Sequence, residues 1–297
     1  MTPLSNARRQ CRWVLVVVLA LSSARIYAQQ TYSANGLVLS VDRDRQTMTV
    51  SLHEIPGFMD AMVMTFAVPD AKSLVSLTRG AMVDFTLVVS KDASHAESVR
   101  IHHYDSAERE PANASRLRIL DEALRGPTHS LTVGQAVPDF VLTDQQKRPT
   151  HLRQFAGKVV AVNFVYTRCI LPEYCLRSSN NFGALQKRFQ NRMGKDLALL
   201  TITLDPVHDQ PDILRDYAAK FEADAENWRF LTGAAADVQR AGDLFGVTFV
   251  PAEGLFVHSQ RTAIIGRDGK LIANLEGNEF TSRQFADLLA TALDPAQ

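Results

Sequence analysis

The run Val159–Tyr166 (VVAVNFVY) is apolar at nearly every position, so as a strand it must be covered on both faces. Leu197–Leu204 repeats the pattern. Around them lie segments with helical spacing. Ser178–Arg192 places Phe182, Leu185 and Phe189 on one side, and Pro211–Phe221, Ala234–Phe245 and Phe280–Leu293 follow. Thr262–Ile265 and Lys270–Asn274 flank Asp268-Gly269, a hairpin turn. Doubly buried strands alternating with helices predict a parallel-cored α/β sheet with an antiparallel edge hairpin, from Leu131 to the C-terminus.

The chain upstream is different. Gly36–Val41 and Thr47–His53 alternate apolar and polar residues, Ile55-Pro56-Gly57 interrupts, and Met62–Val68, Ala81–Val89 and Ala96–Ile101 follow. Five short strands, with one helical turn near Ala71–Leu77, predict a small all-β, OB-like barrel over residues 34–103. Residues 104–130 are polar, with Pro111, Gly126 and Pro127, and read as a linker to a second domain at 131–297. A length of 297 residues suits two such domains.

Export is written at the N-terminus. Arg8, Arg9 and Arg12 precede the apolar run Trp13–Leu21, and Ile26 and Ala28 sit at the −3 and −1 positions of a cleavage site, so residues 1–28 read as a signal peptide. An uncleaved anchor is the weaker alternative, because Arg25 interrupts a run that would need about 20 apolar residues to span a bilayer. A periplasmic location is expected. The 32 basic and 32 acidic residues cancel, which disfavours nucleic acid or an anionic membrane surface as partner. Discarding Cys11 with the signal leaves two cysteines, Cys169 and Cys175.

Both follow the doubly buried strand, and the second precedes a helix. Sites in open α/β sheets lie at the carboxyl ends of strands. A helix N-terminus favours thiolate over thiol, and thiolate is both a nucleophile and a soft-metal ligand. Position alone leaves redox and metal duty open. The Cys-x5-Cys spacing is longer than the Cys-x2-Cys of a dithiol oxidoreductase, and it permits both sulfurs on one ion. Thiolates select Cu(I), and imidazole accepts either copper oxidation state.

Further motifs follow in order. Tyr166-Thr167-Arg168-Cys169, Leu171-Pro172-Glu173-Tyr174-Cys175, Leu204-Asp205-Pro206, Leu231-Thr232-Gly233, Val257-His258-Ser259 and Gly266-Arg267-Asp268-Gly269 together resemble the Sco/SenC family. The resemblance implies a thioredoxin-like fold that binds copper through Cys169, Cys175 and His258. It also implies a role in assembling the CuA centre of cytochrome oxidase, as copper chaperone or thiol–disulfide reductase. Three positions depart from the family pattern: Ile170 and Leu176 stand where proline is usual, and Val257 stands where an acid often precedes the histidine. Asp205 and Asp209 are open to either an orienting role or a helix-capping or turn-forming one.

A second cluster lies in the barrel. Met62 and Met64 share one strand face by the period-two rule, Met59 sits in the preceding turn, and His53 ends the strand before it. Thioethers are soft, uncharged ligands suited to Cu(I). The ordinary alternative is a core-facing methionine strand. Residues 34–103 resemble the CusF-type periplasmic copper-binding domain, which implies a copper site at His53, Met62 and Met64. Met59 stands at the position of the capping tryptophan, with Phe58 as the other candidate cap. His102 and His103 point to opposite strand faces and are expected to be solvated.

The resulting expectation is an exported copper chaperone with two sites, delivering to the CuA-bearing oxidase subunit. A thiol–disulfide oxidoreductase using Cys169 and Cys175 as its redox pair is one alternative, and a copper buffer is another.

Overall fold

The computed structural model describes residues 29–91, 93–102, 130–169, 172–252 and 255–294. The expected signal peptide, His103, Ile170 and nearly all of the expected linker lie outside these residues.

Five strands close the barrel: β1 (Gln30–Asp42), β2 (Thr47–Leu52), β3 (Val63–Ala67), β4 (Met82–Val89) and β5 (Ser94–Ile101), in the order β1-β2-β3-β5-β4. Strand β1 is long enough to pair with both β2 and β4, and a register shift between Val38 and Ser40 bends it around the barrel. Val38, Val50, Phe66, Val83 and Leu87 fill the interior.

The C-terminal domain is a seven-stranded sheet in the order β14-β13-β8-β9-β10-β6-β7. Its centre, β8 (Val159–Val165) and β9 (Leu197–Thr203), is buried at every residue and parallel, as is β9 with β10 (Trp228–Thr232). The hairpin β13 (Arg261–Ile265) and β14 (Leu271–Glu276) forms one edge, antiparallel to β8, as expected. β6 (Val141–Asp144) and β7 (Pro149–His151) form the other. Helices α1 (Arg177–Arg188), α2 (Pro211–Ala219) and α4 (Ser282–Leu293) share a core with one face of the sheet, and α3 (Ala235–Leu244) with the other. Outside the main sheet, β11 (Phe249–Ala252) and β12 (Leu255–His258) make a separate hairpin. Among the described residues, no helix is long and apolar enough to cross a membrane.

The alternation expected over Gly36–Val41 does not hold in β1, where Leu37, Val38 and Leu39 are all buried. Val38 points into the barrel, whereas Leu37 and Leu39 belong to the core of the C-terminal domain, with Leu275, Phe285 and Leu288. The barrel is docked on α4 and β14. Polar contacts finish the seam: Gln284 Nε2 donates to Ser51 O at 2.9 Å, and Ser51 Oγ donates to Asp287 Oδ2 at 2.8 Å. Gln284 Oε1 also accepts from Thr281 N in the α4 capping box, so the side chain that caps the helix also holds the barrel.

At Gly80 the barrel backbone comes close to β14. The φ of Gly80 is +88°, and a Cβ there would stand 3.0 Å from Ala273 Cβ and 3.2 Å from Leu275 Cδ1. Gly80→Ala is expected to destabilise the chain by roughly 1–3 kcal/mol, through left-handed strain and contact with β14. Chemical denaturation checks this; unchanged stability would mean that the two domains do not meet at this turn.

Candidate metal centre

β8 ends at Val165, and Tyr166 to Cys169 leave the sheet at its carboxyl edge. Two carboxylates hold this exit. Asp209, fully buried, accepts from Thr167 N at 3.0 Å, from Thr167 Oγ1 at 2.5 Å and from Thr203 Oγ1 at 2.5 Å. Asp205, 3% exposed, accepts from Arg168 Nη2 at 2.6 Å and Nε at 3.0 Å. Both carboxylates therefore hold the cysteine loop, and Asp205 also forms a turn, its Oδ1 accepting from His208 N at 3.4 Å. A buried carboxylate is tolerated here because hydrogen-bond donors surround it.

The loop re-enters through a π-helical turn, Pro172–Leu176, which runs into α1. Cys175 lies in that turn and is buried, whereas Cys169 is partly exposed; both are free thiols. Cys175 hydrogen-bonds to Cys169, and this contact is the largest of the influences that push its thiol well up. Burial and the charge of Cys169 add to it, and the Asp209 carboxylate pushes the same way. These outweigh the pull of the nearby α1 N-terminus toward thiolate.

His258, at the end of β12, completes the cluster. Its Nδ1 is 3.0 Å from Ser259 O, a carbonyl that can only accept, so Nδ1 carries the proton and Nε2 keeps its lone pair. Nε2 stands 3.9 Å from Cys175 Sγ. Burial holds the imidazole below its ordinary pKa, and therefore neutral. Ser259 is itself locked to Thr248, whose N donates to Ser259 Oγ at 2.9 Å and whose O accepts from Ser259 N at 2.8 Å. The orienting role that an acid at position 257 would have filled thus falls to a backbone carbonyl.

Tyr166 has no sequence signal beyond the Tyr166-Thr167-Arg168-Cys169 motif that it opens. Its hydroxyl donates to Phe256 O at 3.2 Å and also hydrogen-bonds Cys169, while its ring stands edge-on to His258 at 5.8 Å. It therefore ties the cysteine strand to the histidine hairpin. Cys175 touches both Cys169 and His258. Even so, among the described residues no three His, Cys, Asp or Glu side chains yet converge at metal-holding distances. The donor set fits a soft ion: two free thiols and a neutral imidazole with Nε2 turned inward.

In the barrel, Phe66, Met64 and Met62 form a ladder from core to surface: Phe66 is fully buried, Met64 partly so, and Met62 is 41% exposed. Met59 packs on the same core, and Phe58 in its turn stacks on Tyr32, with ring centroids 3.9 Å apart. His53 is held elsewhere, its Nδ1 2.6 Å from Asn35 Oδ1 on the neighbouring strand β1. The structure packs Met59 and Met64 on the barrel core, leaves Met62 exposed and engages the imidazole of His53 with Asn35. His102 is exposed, as expected, and pairs with two carboxylates at the surface: its Nδ1 lies 2.8 Å from Asp84 Oδ2 and its Nε2 2.9 Å from Glu279 Oε2.

Residues 129–294 match the SCO1/SenC family model, and residues 31–102 match that of the copper binding periplasmic protein CusF. A Stutzerimonas stutzeri protein named for copper binding is 30% identical over 142 residues, which cover 46% of this chain and 67% of that protein. The SCO1 protein homolog of Bacillus subtilis is 26% identical over 149 residues, 49% of this chain and 76% of that one. Among solved structures, a SCO1/SenC family lipoprotein from Bacillus anthracis aligns with TM-score 0.49 and 23% identity, over 56% of this chain and all of that chain. The cysteine loop after β8, the histidine hairpin and the family match all fall in the C-terminal domain, and the chain belongs to the SCO1/SenC family.

Proposed function

We propose that this chain is an exported copper chaperone holding copper through Cys169, Cys175 and His258, and delivering it to the CuA-bearing subunit of cytochrome oxidase. The observation that carries the reading is the pairing of Cys175 Sγ with the lone-pair nitrogen of His258 at 3.9 Å, with Cys169 hydrogen-bonded to the same sulfur. Two thiolates and one imidazole form a soft, three-coordinate set. Tyr166, Asp205 and Asp209 keep these groups near that geometry before the ion arrives. Cys169, the partly exposed ligand, is where an incoming or departing carrier makes contact. The CusF match at residues 31–102 supports a second Cu(I) site at Met59, Met62 and Met64, with His53 as a further ligand once it leaves Asn35.

X-ray absorption of the protein carrying one Cu(I) should give two sulfur scatterers and one nitrogen at copper. A spectrum without thiolate sulfur would overturn the reading. A second equivalent is expected to bind through thioether sulfur and to be lost in Met62→Ala/Met64→Ala, as measured by copper stoichiometry after gel filtration.

A second reading, thiol–disulfide oxidoreductase, draws on the Cys175–Cys169 hydrogen bond, which puts two free thiols in contact. Turnover on a dithiol substrate in copper-free buffer would favour it.

A further inference from the structure

The turn Gly277–Phe280, between β14 and α4, touches both domains at once. On one side Asn278 Nδ2 donates to Glu173 O, inside the π-helical turn that carries Cys175. Arg177, two residues after Cys175, donates through Nη2 to Glu279 O at 3.2 Å. On the other side the Glu279 carboxylate lies 2.9 Å from His102 at the end of β5, and Asp84 of β4 holds the opposite nitrogen of that ring. One short turn thus grips the ligand loop through its backbone and the barrel through one carboxylate. Asn35, the residue holding His53, stands directly opposite Asp84 in the β1–β4 register, so the chain of contacts reaches the other candidate site.

We infer that the barrel braces the copper loop of the C-terminal domain, with His102 and Glu279 as positioning residues that hold the Gly277–Phe280 turn against Glu173 and Arg177. The inference rests on reading Cys169, Cys175 and His258 as the copper site. Exposed ion pairs contribute little to global stability, so the effect of this clasp falls on loop geometry. Groups that orient a metal ligand directly are worth roughly 10–100-fold in affinity, and a clasp one contact further out is expected to give about 3- to 10-fold.

The test uses the full chain in a Met62→Ala/Met64→Ala background, so that only the cysteine site is read. Cu(I) affinity is measured by competition with a chromophoric chelator. His102→Ala and Glu279→Gln should each weaken binding by about 3- to 10-fold, and the double variant should weaken it no further than the stronger single one, because both break the same contact. His102→Gln, which keeps a donor for one carboxylate, should recover part of the loss. Tm should move by no more than a few degrees, which separates positioning from a general loss of fold. Glu279→Gln keeps the shape of the side chain and decides the matter if His102→Ala folds poorly. Wild-type affinity in Glu279→Gln, or additive losses in the double variant, overturns the inference. If the background protein binds no Cu(I) that Cys169→Ser/Cys175→Ser abolishes, the copper reading itself fails instead.

Discussion

Cys169→Ser/Cys175→Ser is expected to remove one of two Cu(I) equivalents and to lower affinity at the C-terminal site by more than about a thousand-fold. Orienting groups alone carry roughly 10–100-fold in metal sites, and this change deletes two of three ligands. The fold should survive. Cys169 is partly exposed and the Cys175 side chain is small, so serine leaves little void, although burying a hydroxyl in place of sulfur at position 175 costs about 1–3 kcal/mol if it finds no partner. The single variants should differ. Cys175 touches both other ligands, so its loss separates Cys169 from His258, whereas loss of Cys169 leaves the Cys175–His258 pair in place.

Binding at this site should also depend on pH. The Cys175 thiol is pushed well up, so it keeps its proton near neutrality, and the ion must displace that proton. Apparent affinity should therefore rise by about tenfold per pH unit while one proton is displaced, and level off above the raised thiol pKa. His258 is already neutral and contributes no such slope near pH 7. Isothermal titration in buffers of different ionisation enthalpy counts the released protons. Retention of both equivalents in the double serine variant would place copper elsewhere.

Much of this arrangement is legible in the residues themselves. Val159–Tyr166 and Leu197–Leu204 are apolar on both faces, and that alone sets the centre of a covered sheet and puts the cysteine loop at its carboxyl edge. Other elements are quieter. The β11–β12 hairpin is four residues a side and contains Pro251, so no periodicity announces it, and yet it delivers His258. Domain docking left one trace: Leu37, Val38 and Leu39 are consecutive apolar residues in a strand of a small barrel, where alternation should put one face in water. The extra leucines are covered by α4 and β14, which no local pattern can reveal because the partner lies more than two hundred residues along the chain. The His102–Glu279 pair is hidden for a similar reason, since its two residues lie far apart in the chain.

Asp209 is where stability and site geometry meet most directly, and Asp209→Ala should expose both. The substitution strands Thr203 Oγ1 in a fully buried spot and Thr167 N and Oγ1 in a partly buried one. Each buried group left unsatisfied costs about 1–3 kcal/mol, though the hydroxyls can turn to other acceptors, so a loss of roughly 3–5 kcal/mol is expected, read as a fall in Tm on the order of 10 °C. Copper affinity should fall by about 10–100-fold, because Thr167 lies two residues before Cys169 and fixes the direction in which the loop leaves β8. Asp209→Asn separates the two contributions. It keeps one acceptor oxygen and much of the shape, so it should recover part of the stability. It also removes the negative charge that pushes the Cys175 thiol up, so Cys175 should lose its proton at lower pH and copper affinity should level off at lower pH than in the parent protein. If Asp209→Ala keeps wild-type Tm and copper affinity, the carboxylate does not organise the loop. If Asp209→Asn leaves the pH profile unmoved, its charge does not reach Cys175.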